Sequence, residues 1–209
     1  MQNRSIEGRS VGRSGAATGE LSGMAWVNRY RGSSSLRDLR GSFRDRVEAF
    51  VDALRAAGAT VTIAATYRPP QRAYLMHWSW LIVKRNLDPA LVPAMDGVAI
   101  NWMHEDAEGN YSRQLSLAAA RAMVEGFGIQ RLGVAPALQS RHTLGRGIDM
   151  NIRWNGGLTI SDADGNIVHI MTSPRSGLNV QLRRVGESYG VIKYNRAGRD
   201  DPHWSDNGA

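Results

Sequence analysis

The segment from Ser140 to Trp154 constrains the fold of this chain more than any other. It opens with a histidine among turn-forming residues, Ser140-Arg141-His142-Thr143-Leu144-Gly145. A strict alternation follows, in which every second residue from Ile148 to Trp154 is apolar and the residues between them are polar. A period of two is typical of a strand with one buried face. The pattern therefore predicts a strand that directs Asp149 away from the core.

The composition predicts one ordinary domain and restricts the chemistry of any metal site. The chain has 209 residues, 42% of them hydrophobic, which is enough for a single core. It contains no cysteine, so a transition metal would have to be bound by histidine, carboxylate and water. No uninterrupted apolar run approaches the length that spans a membrane.

The charge balance points to an anionic partner without identifying it. Lys and Arg number 26 against 19 Asp and Glu, for a net charge of +7. Such a charge favours polyanions, among which nucleic acid and bacterial cell wall both qualify. The basic residues are dispersed, however, and no nucleic-acid-binding signature is visible. We expect a solvated basic surface and no nucleic-acid partner.

The first 23 residues differ in composition from the rest. They are rich in Gly, Ser and Arg and have no sustained period, which predicts a flexible arm. Ile6-Glu7-Gly8-Arg9 matches a common engineered protease-cleavage sequence, so part of the arm is interpreted as a tag remnant. No apolar secretory signal is present, so we expect synthesis in the cytoplasm. Residues 24–209 are predicted to form the single domain.

Hydrophobic periodicity over the domain predicts mixed helices and strands. Helical spacing begins at Ser35 and stops at Gly58, and Thr60–Thr66 has the composition of a strand. The predicted class is α+β, with a small, largely antiparallel sheet and helices packed against it. The remaining predicted elements are a helix from Pro70 to Val83, a long loop over residues 86–111, helices at Leu117–Phe127 and Leu178–Tyr189, a hairpin around Asp164-Gly165-Asn166, and a strand at Val191–Tyr194.

His142, Asp149 and His203 are the candidate metal ligands. Two histidines and one carboxylate would leave a fourth position open on tetrahedral zinc, which is typical of catalytic zinc. The alternative is that the three residues are unrelated: a surface histidine, a charge near a strand end, and a histidine satisfied by hydrogen bonds. His77, His104 and His169 are expected to have structural or surface roles.

Two motifs carry a resemblance to a known family. Ser140-x-His142-x-x-Gly145-x-x-x-Asp149, followed by Asp200-x-Pro202-His203-Trp204, resembles zinc peptidases that include D-alanyl-D-alanine carboxypeptidases and L-alanyl-D-glutamate endopeptidases. That group also contains lysostaphin-type enzymes and the hedgehog signalling domain. Thr66-Tyr67-Arg68-Pro69-Pro70-Gln71 is similar to the family's upstream Tyr-Arg element. The likeness runs from about residue 36 to the end of the chain.

The resemblance implies a hedgehog-like peptidase fold and specific residue roles. His142, Asp149 and His203 would bind one zinc ion, and Asp200 would be the general base. Many relatives carry Glu at that position, and the neighbouring Asp201 is an alternative base. Arg68 would contact a substrate carbonyl or carboxylate, and Ser140 and Gln71 are further substrate-binding candidates. For Gln71 a simple position on the helix surface is an equal alternative.

The resemblance also implies an activity. We expect a zinc-dependent peptidase that hydrolyses the stem or cross-link peptides of bacterial peptidoglycan, with an endopeptidase favoured over a D,D-carboxypeptidase. The protein is expected to be a monomer that reaches the wall after release or secretion by another system. The alternative from a different class is a non-catalytic, zinc-containing module that binds the cell wall or a protein.

Overall fold

The computed structural model describes residues 19–194 and 201–209. Within these ranges the class is α+β, as predicted, and no helix has the length and apolar character needed to cross a membrane. The helices are α1 (Ser42–Ala56), α2 (Pro70–Arg85), α3 (Arg113–Gly126) and α4 (Val180–Ser188). The strands are β1 (Glu20–Leu21), β2 (Thr60–Ala65), β3 (Ile100–Asn101), β4 (Gly147–Arg153), β5 (Leu158–Ser161), β6 (Ile167–Ile170), β7 (Ile192–Lys193) and β8 (His203–Ser205).

The central sheet has the strand order β2-β4-β8-β7, and each neighbouring pair is antiparallel. Strands β5 and β6 form a separate antiparallel hairpin, and β1 pairs in parallel with β3. In the central sheet, Asp149 on β4 lies opposite Ala65 on β2 and His203 on β8. Because paired residues share a face of the sheet, these three side chains form one row across three strands.

One face of the central sheet forms the main core with α1 and α4. Ile148, Met150 and Ile152 are buried on this face, and Trp204 of β8 joins them. Asp149, between the first two of these residues, is only partly buried. The predicted alternation of β4 is therefore confirmed, and its physical reason is that successive side chains point to opposite faces.

A second apolar cluster forms between α2 and α3. Trp26, Leu75, Ile82 and Met123 are buried in it. The predicted arm, residues 1–23, is described only from residue 19 onward. Glu20–Leu21 of that segment is β1, which pairs with β3 inside the predicted long loop. Residues 19–30 thus pack along the α2–α3 pair.

The first helix begins later than its hydrophobic pattern predicts. Ser35 precedes a short 3-10 turn at Leu36–Asp38, and α1 starts only at Ser42. Gly41 lies between them with a φ of 58°. A positive φ interrupts a right-handed helix, so the first apolar residues of the pattern reach the core from a turn. The helix ends before Gly58, at the predicted place.

Candidate metal centre

Three potential metal ligands meet at one end of the central sheet. His142 Nε2 lies 3.1 Å from Asp149 Oδ1 and 3.1 Å from His203 Nδ1, and the last two atoms are 2.9 Å apart. Both histidines are buried, and the carboxylate is partly buried. The fold brings together the three residues that the sequence suggested, and this group could hold a metal ion.

Strand register and a tight turn place the three side chains. Asp149 and His203 are direct cross-strand partners on β4 and β8. His142 lies in the turn before β4, where the amide of Gly145 donates to the His142 carbonyl at 3.2 Å. Gly145 has a φ of 67°, and a Cβ there would lie 2.8 Å from the side chain of Arg40. Glycine is therefore required at this point of the turn.

Main-chain oxygens orient both imidazoles. Nδ1 of His142 is 3.0 Å from the carbonyl oxygen of Thr66, and Nε2 of His203 is 3.2 Å from the main-chain oxygen of Ala209. Since a carbonyl only accepts, each of these ring nitrogens carries the proton. In a neutral ring the other nitrogen is then unprotonated, and it faces the cluster. Hydrogen bonds of this kind commonly orient metal-bound histidines.

The three converging atoms need a positive charge between them. Burial raises the pKa of the Asp149 carboxyl, but hydrogen bonds from His142 and His203, which require a proton on the ring nitrogens that face it, lower it by more, so that the pKa lies well below its usual range. Asp149 is therefore a carboxylate. With both ring protons directed outward, one oxygen and two nitrogen lone pairs face each other within 3.1 Å. Either a proton or a metal ion relieves that repulsion.

The donor set fits a borderline metal ion. Ligand atoms on a tetrahedral zinc ion stand about 3.3 Å apart. The triangle found here is tighter by only about 0.2–0.4 Å, so small side-chain movements would accommodate an ion. Two imidazole nitrogens and one carboxylate oxygen are ligands that zinc accepts, and the absence of cysteine leaves no thiolate competitor.

A cleft of about 340 Å³ adjoins the cluster. His142 and Arg68 both line it, and the amide of Arg68 donates to the His142 carbonyl at 3.2 Å. The structure therefore places the predicted substrate-contacting arginine beside a predicted ligand. The other lining residues include Gly32–Ser34, Tyr67, Arg72 and Met76.

The two remaining substrate-binding candidates occupy different positions. Ser140 lies two residues before His142, and its Oγ is buried without a hydrogen-bond partner among residues 19–194 and 201–209. Ser140 is not among the described residues that line the cleft. Gln71 is half-buried in the first turn of α2 and is not among the described residues that line the cleft.

The predicted general base, Asp200, lies outside the described residues. Its proposed alternative, Asp201, is exposed, and the main-chain carbonyl of Asp201 accepts a hydrogen bond from Nζ of Lys193. The other three histidines lie apart from the cluster. They contact Pro136 (His77), Ser22 (His104) and Thr159 (His169).

Sequence reasoning missed Lys193. This lysine on β7 is only 4% exposed, and its Nζ donates to the carbonyl of His203 at 3.0 Å as well as to that of Asp201. It also lies over the Trp204 ring, 5.4 Å from the centroid. The ammonium thus anchors the backbone that carries His203, the third potential ligand. Its acceptors are main-chain atoms, which have no sequence signature.

Comparisons with known proteins identify no family. No protein-family model matches the chain, and no curated protein matches it. The functional interpretation therefore depends on the two short motifs and on the geometry of this site.

Proposed function

We propose that this protein is a zinc-dependent peptidase that hydrolyses peptide bonds in the stem or cross-link of bacterial peptidoglycan. The observation that carries the proposal is the cluster of His142, Asp149 and His203. Both imidazoles are held by main-chain oxygens so that their lone pairs meet the carboxylate. A cleft containing Arg68 opens beside them. A buried, acceptor-only cluster next to a cleft is typical of a catalytic metal site.

The roles of the chain's residues follow from their chemistry. Zinc bound at this site would acidify a water molecule and polarise the scissile carbonyl. Asp200 would take the proton from the water and deliver it to the departing amine, with Asp201 as the alternative. Arg68, which lines the cleft together with His142, would contact the substrate carbonyl and offset the negative charge that develops on it.

The choice of substrate depends on charge and motif resemblance. The net charge of +7 favours an anionic cell wall. The Asp-x-Pro-His-Trp ending resembles that of endopeptidase-like relatives, so we favour cleavage within the stem or cross-link over removal of a terminal D-alanine. We propose a monomer that reaches the wall by release or by another system's secretion.

Digestion of purified peptidoglycan tests the proposal. Wild type, His142→Ala, Asp200→Ala and Asp201→Ala would be compared by mass spectrometry of the products and by metal analysis of each protein. Asp164→Ala, on the exposed hairpin turn, serves as the matched control. We expect zinc and peptide products with wild type and the control, no zinc with His142→Ala, and zinc without products with Asp200→Ala.

The same experiment separates the alternatives. Full activity of Asp200→Ala together with an inactive Asp201→Ala would transfer the base role to Asp201. Stoichiometric zinc in a wild type that releases nothing from any type of wall would favour the non-catalytic zinc module. Hydrolysis by zinc-free wild type would refute the metal mechanism.

A further inference from the structure

The cleft contains a second arginine, Arg72, that the proposed mechanism does not use. Arg72 lies in the first turn of α2, one turn after Arg68, and both side chains line the cleft together with Met76. Nη1 of Arg72 donates to the carbonyl of Val27 at 2.9 Å and to that of Tyr30 at 3.4 Å. The guanidinium also lies over the ring of Phe127, 4.9 Å from the centroid. These contacts fix its plane and position.

Arg72 forms no salt bridge within residues 19–194 and 201–209, since no carboxylate in these ranges lies within 4.0 Å of its guanidinium. Partial burial and the positive charge of Arg68 both lower the pKa of Arg72, which shows that its surroundings oppose the charge. Partly buried charges are normally paired.

The helix terminus adds to this imbalance. The N-terminal end of a helix carries a partial positive charge and favours acidic residues. The first turn of α2 contains no acidic residue, and no side chain caps the helix. Arg68 and Arg72 instead place two positive charges at that end. An anion bound beside Arg72 would offset the charge of its guanidinium and the partial charge of the helix terminus.

We propose that Arg72 binds a carboxylate of the substrate and so determines specificity for a peptide with a negative charge next to the scissile bond. Nη1 is occupied by the two carbonyls, whereas Nε and Nη2 have no acceptor in the described part of the chain. These two groups form one edge of the guanidinium, the edge that binds a carboxylate through two parallel hydrogen bonds. The small residues Gly32–Ser34 line the same cleft and leave room for an extended peptide.

This inference rests on the proposed peptidase function and adds a substrate class to it. The carboxylate has two possible sources, an acidic side chain or the free C-terminus of a short peptide. Both present the same planar group to Arg72, so they are distinguished by the test and not by the geometry.

The test compares matched synthetic peptides. One pair carries Glu or Gln beside the scissile bond, and a second pair ends in a free carboxylate or an amide. The full chain loaded with zinc would be assayed as wild type, Arg72→Gln, Arg72→Lys and Arg85→Gln. Arg85 is a matched control because it is also on α2 and also lies over an aromatic ring, that of Trp80. Thermal unfolding of each variant checks that the loop at Val27 and Tyr30 remains in place.

We expect wild type to favour the acidic member of one pair by about ten- to hundredfold in kcat/KM, the range of a charge-assisted hydrogen bond. The pair that shows the preference identifies the source of the carboxylate. In Arg72→Gln the ratio should approach one. Arg72→Lys should keep an intermediate ratio because it retains the charge and loses the two-pronged geometry. Arg85→Gln should match wild type.

Two results would overturn the inference. One is a wild type that cleaves both members of each pair equally, which requires no variant. The other is an Arg72→Gln protein that loses activity on both members equally, since this shows a purely structural role. If wild type cleaves no peptide, the proposed function fails separately. In that case the dissociation constants of the same peptides test the role of Arg72. Equal binding of the acidic and the neutral peptide of each pair would refute it.

Discussion

Two regions beside the cleft, which we call the sheet side and the helix side, hold their polar groups in different ways. The sheet side is defined as β4, β8 and the turn at Ser140–Gly145. Here the potential ligands converge on each other, and a main-chain oxygen accepts a hydrogen bond from each imidazole. On the helix side, defined as Tyr67 to Arg85, two main-chain carbonyls hold Nη1 of Arg72, and its Nε and Nη2 have no acceptor among residues 19–194 and 201–209. The sheet side is therefore suited to a small ion enclosed by protein atoms, and the helix side to a ligand that supplies its own acceptor.

This contrast predicts that metal binding and substrate selection can be separated by mutation. Changes on the sheet side should lower metal affinity and, through it, activity. Changes on the helix side should alter catalysis or selectivity while the metal stays bound.

The largest effect is expected from Asp149→Asn. The substitution removes the negative charge that offsets the cation, so metal affinity should fall by more than about 100-fold and hydrolysis should disappear. Metal titration and peptidoglycan digestion measure the two effects. Asp164→Asn, the same chemical change on an exposed turn, should leave both unchanged. Metal binding of wild-type strength in Asp149→Asn would contradict the assignment of the ligand.

Arg68→Gln should come next, with a different signature. A fixed donor for developing oxyanion charge contributes roughly 100- to 1000-fold to kcat, so kcat/KM should fall by that amount while the zinc content stays at the wild-type level. Steady-state kinetics and metal analysis check this. Loss of zinc together with activity would instead assign the Arg68 side chain to the support of the metal site, since Arg68 and His142 line the same cleft.

Lys193→Met should lower metal affinity indirectly, by removing hydrogen bonds that hold the backbone of the sheet side. The carbonyls of Asp201 and His203 lose a buried donor, and the third ligand becomes less well placed. We expect metal affinity to fall by about 10- to 100-fold and the free energy of unfolding by about 1–3 kcal/mol. Lys84→Met, an exposed lysine on α2, is the control. Unchanged metal affinity in a stable Lys193→Met protein would limit this lysine to a role in stability.

The smallest effect is expected from Gly147→Ala. A Cβ at this position would lie 3.0 Å from Cε1 of His203 and 3.0 Å from Cβ of Arg141, so the imidazole must shift by a few tenths of an ångström. Metal affinity should fall less than about tenfold, the lower end of the range for residues that orient a ligand. Gly133→Ala adds a Cβ with no atom within 4 Å and should change nothing. A loss in Gly147→Ala as large as that in Asp149→Asn would mean that the sheet side tolerates no movement.

The sequence predicted which helices and strands form better than it predicted where they begin and end. The period of two in β4 correctly placed Asp149 on the face opposite the core, because the alternation of side chains is a local property of the strand. The predicted start of the first helix, at Ser35, was wrong. The apolar spacing continues through Gly41, but the backbone at this glycine is not helical. Apolar residues of the 3-10 turn and of the helix face the same core. Hydrophobic periodicity alone therefore does not distinguish a turn followed by a helix from one longer helix.

The sequence predicted the potential metal ligands of the site but not the groups that orient them. Two short motifs suggested His142, Asp149, His203 and Arg68. The structure brings the first three together, and His142 and Arg68 line the adjoining cleft. The groups that orient the ligands are main-chain oxygens and the buried Lys193, which no motif indicates. The sequence also did not show that Arg72 lacks a carboxylate beside it in the described part of the chain, because a sequence does not show which charges lie near each other.

By itself, the sequence determined which groups are available for chemistry: no thiolates, few histidines, and a strand whose polar face presents a carboxylate. These are local or compositional properties, and they do not depend on the rest of the chain. Only the tertiary structure decided that His142 and His203, 61 residues apart, meet at Asp149 with their lone pairs directed inward. That outcome depends on the register between β4 and β8 and on main-chain oxygens from distant parts of the chain. The orientation of an imidazole ring is set by the group that accepts the hydrogen bond from its N–H.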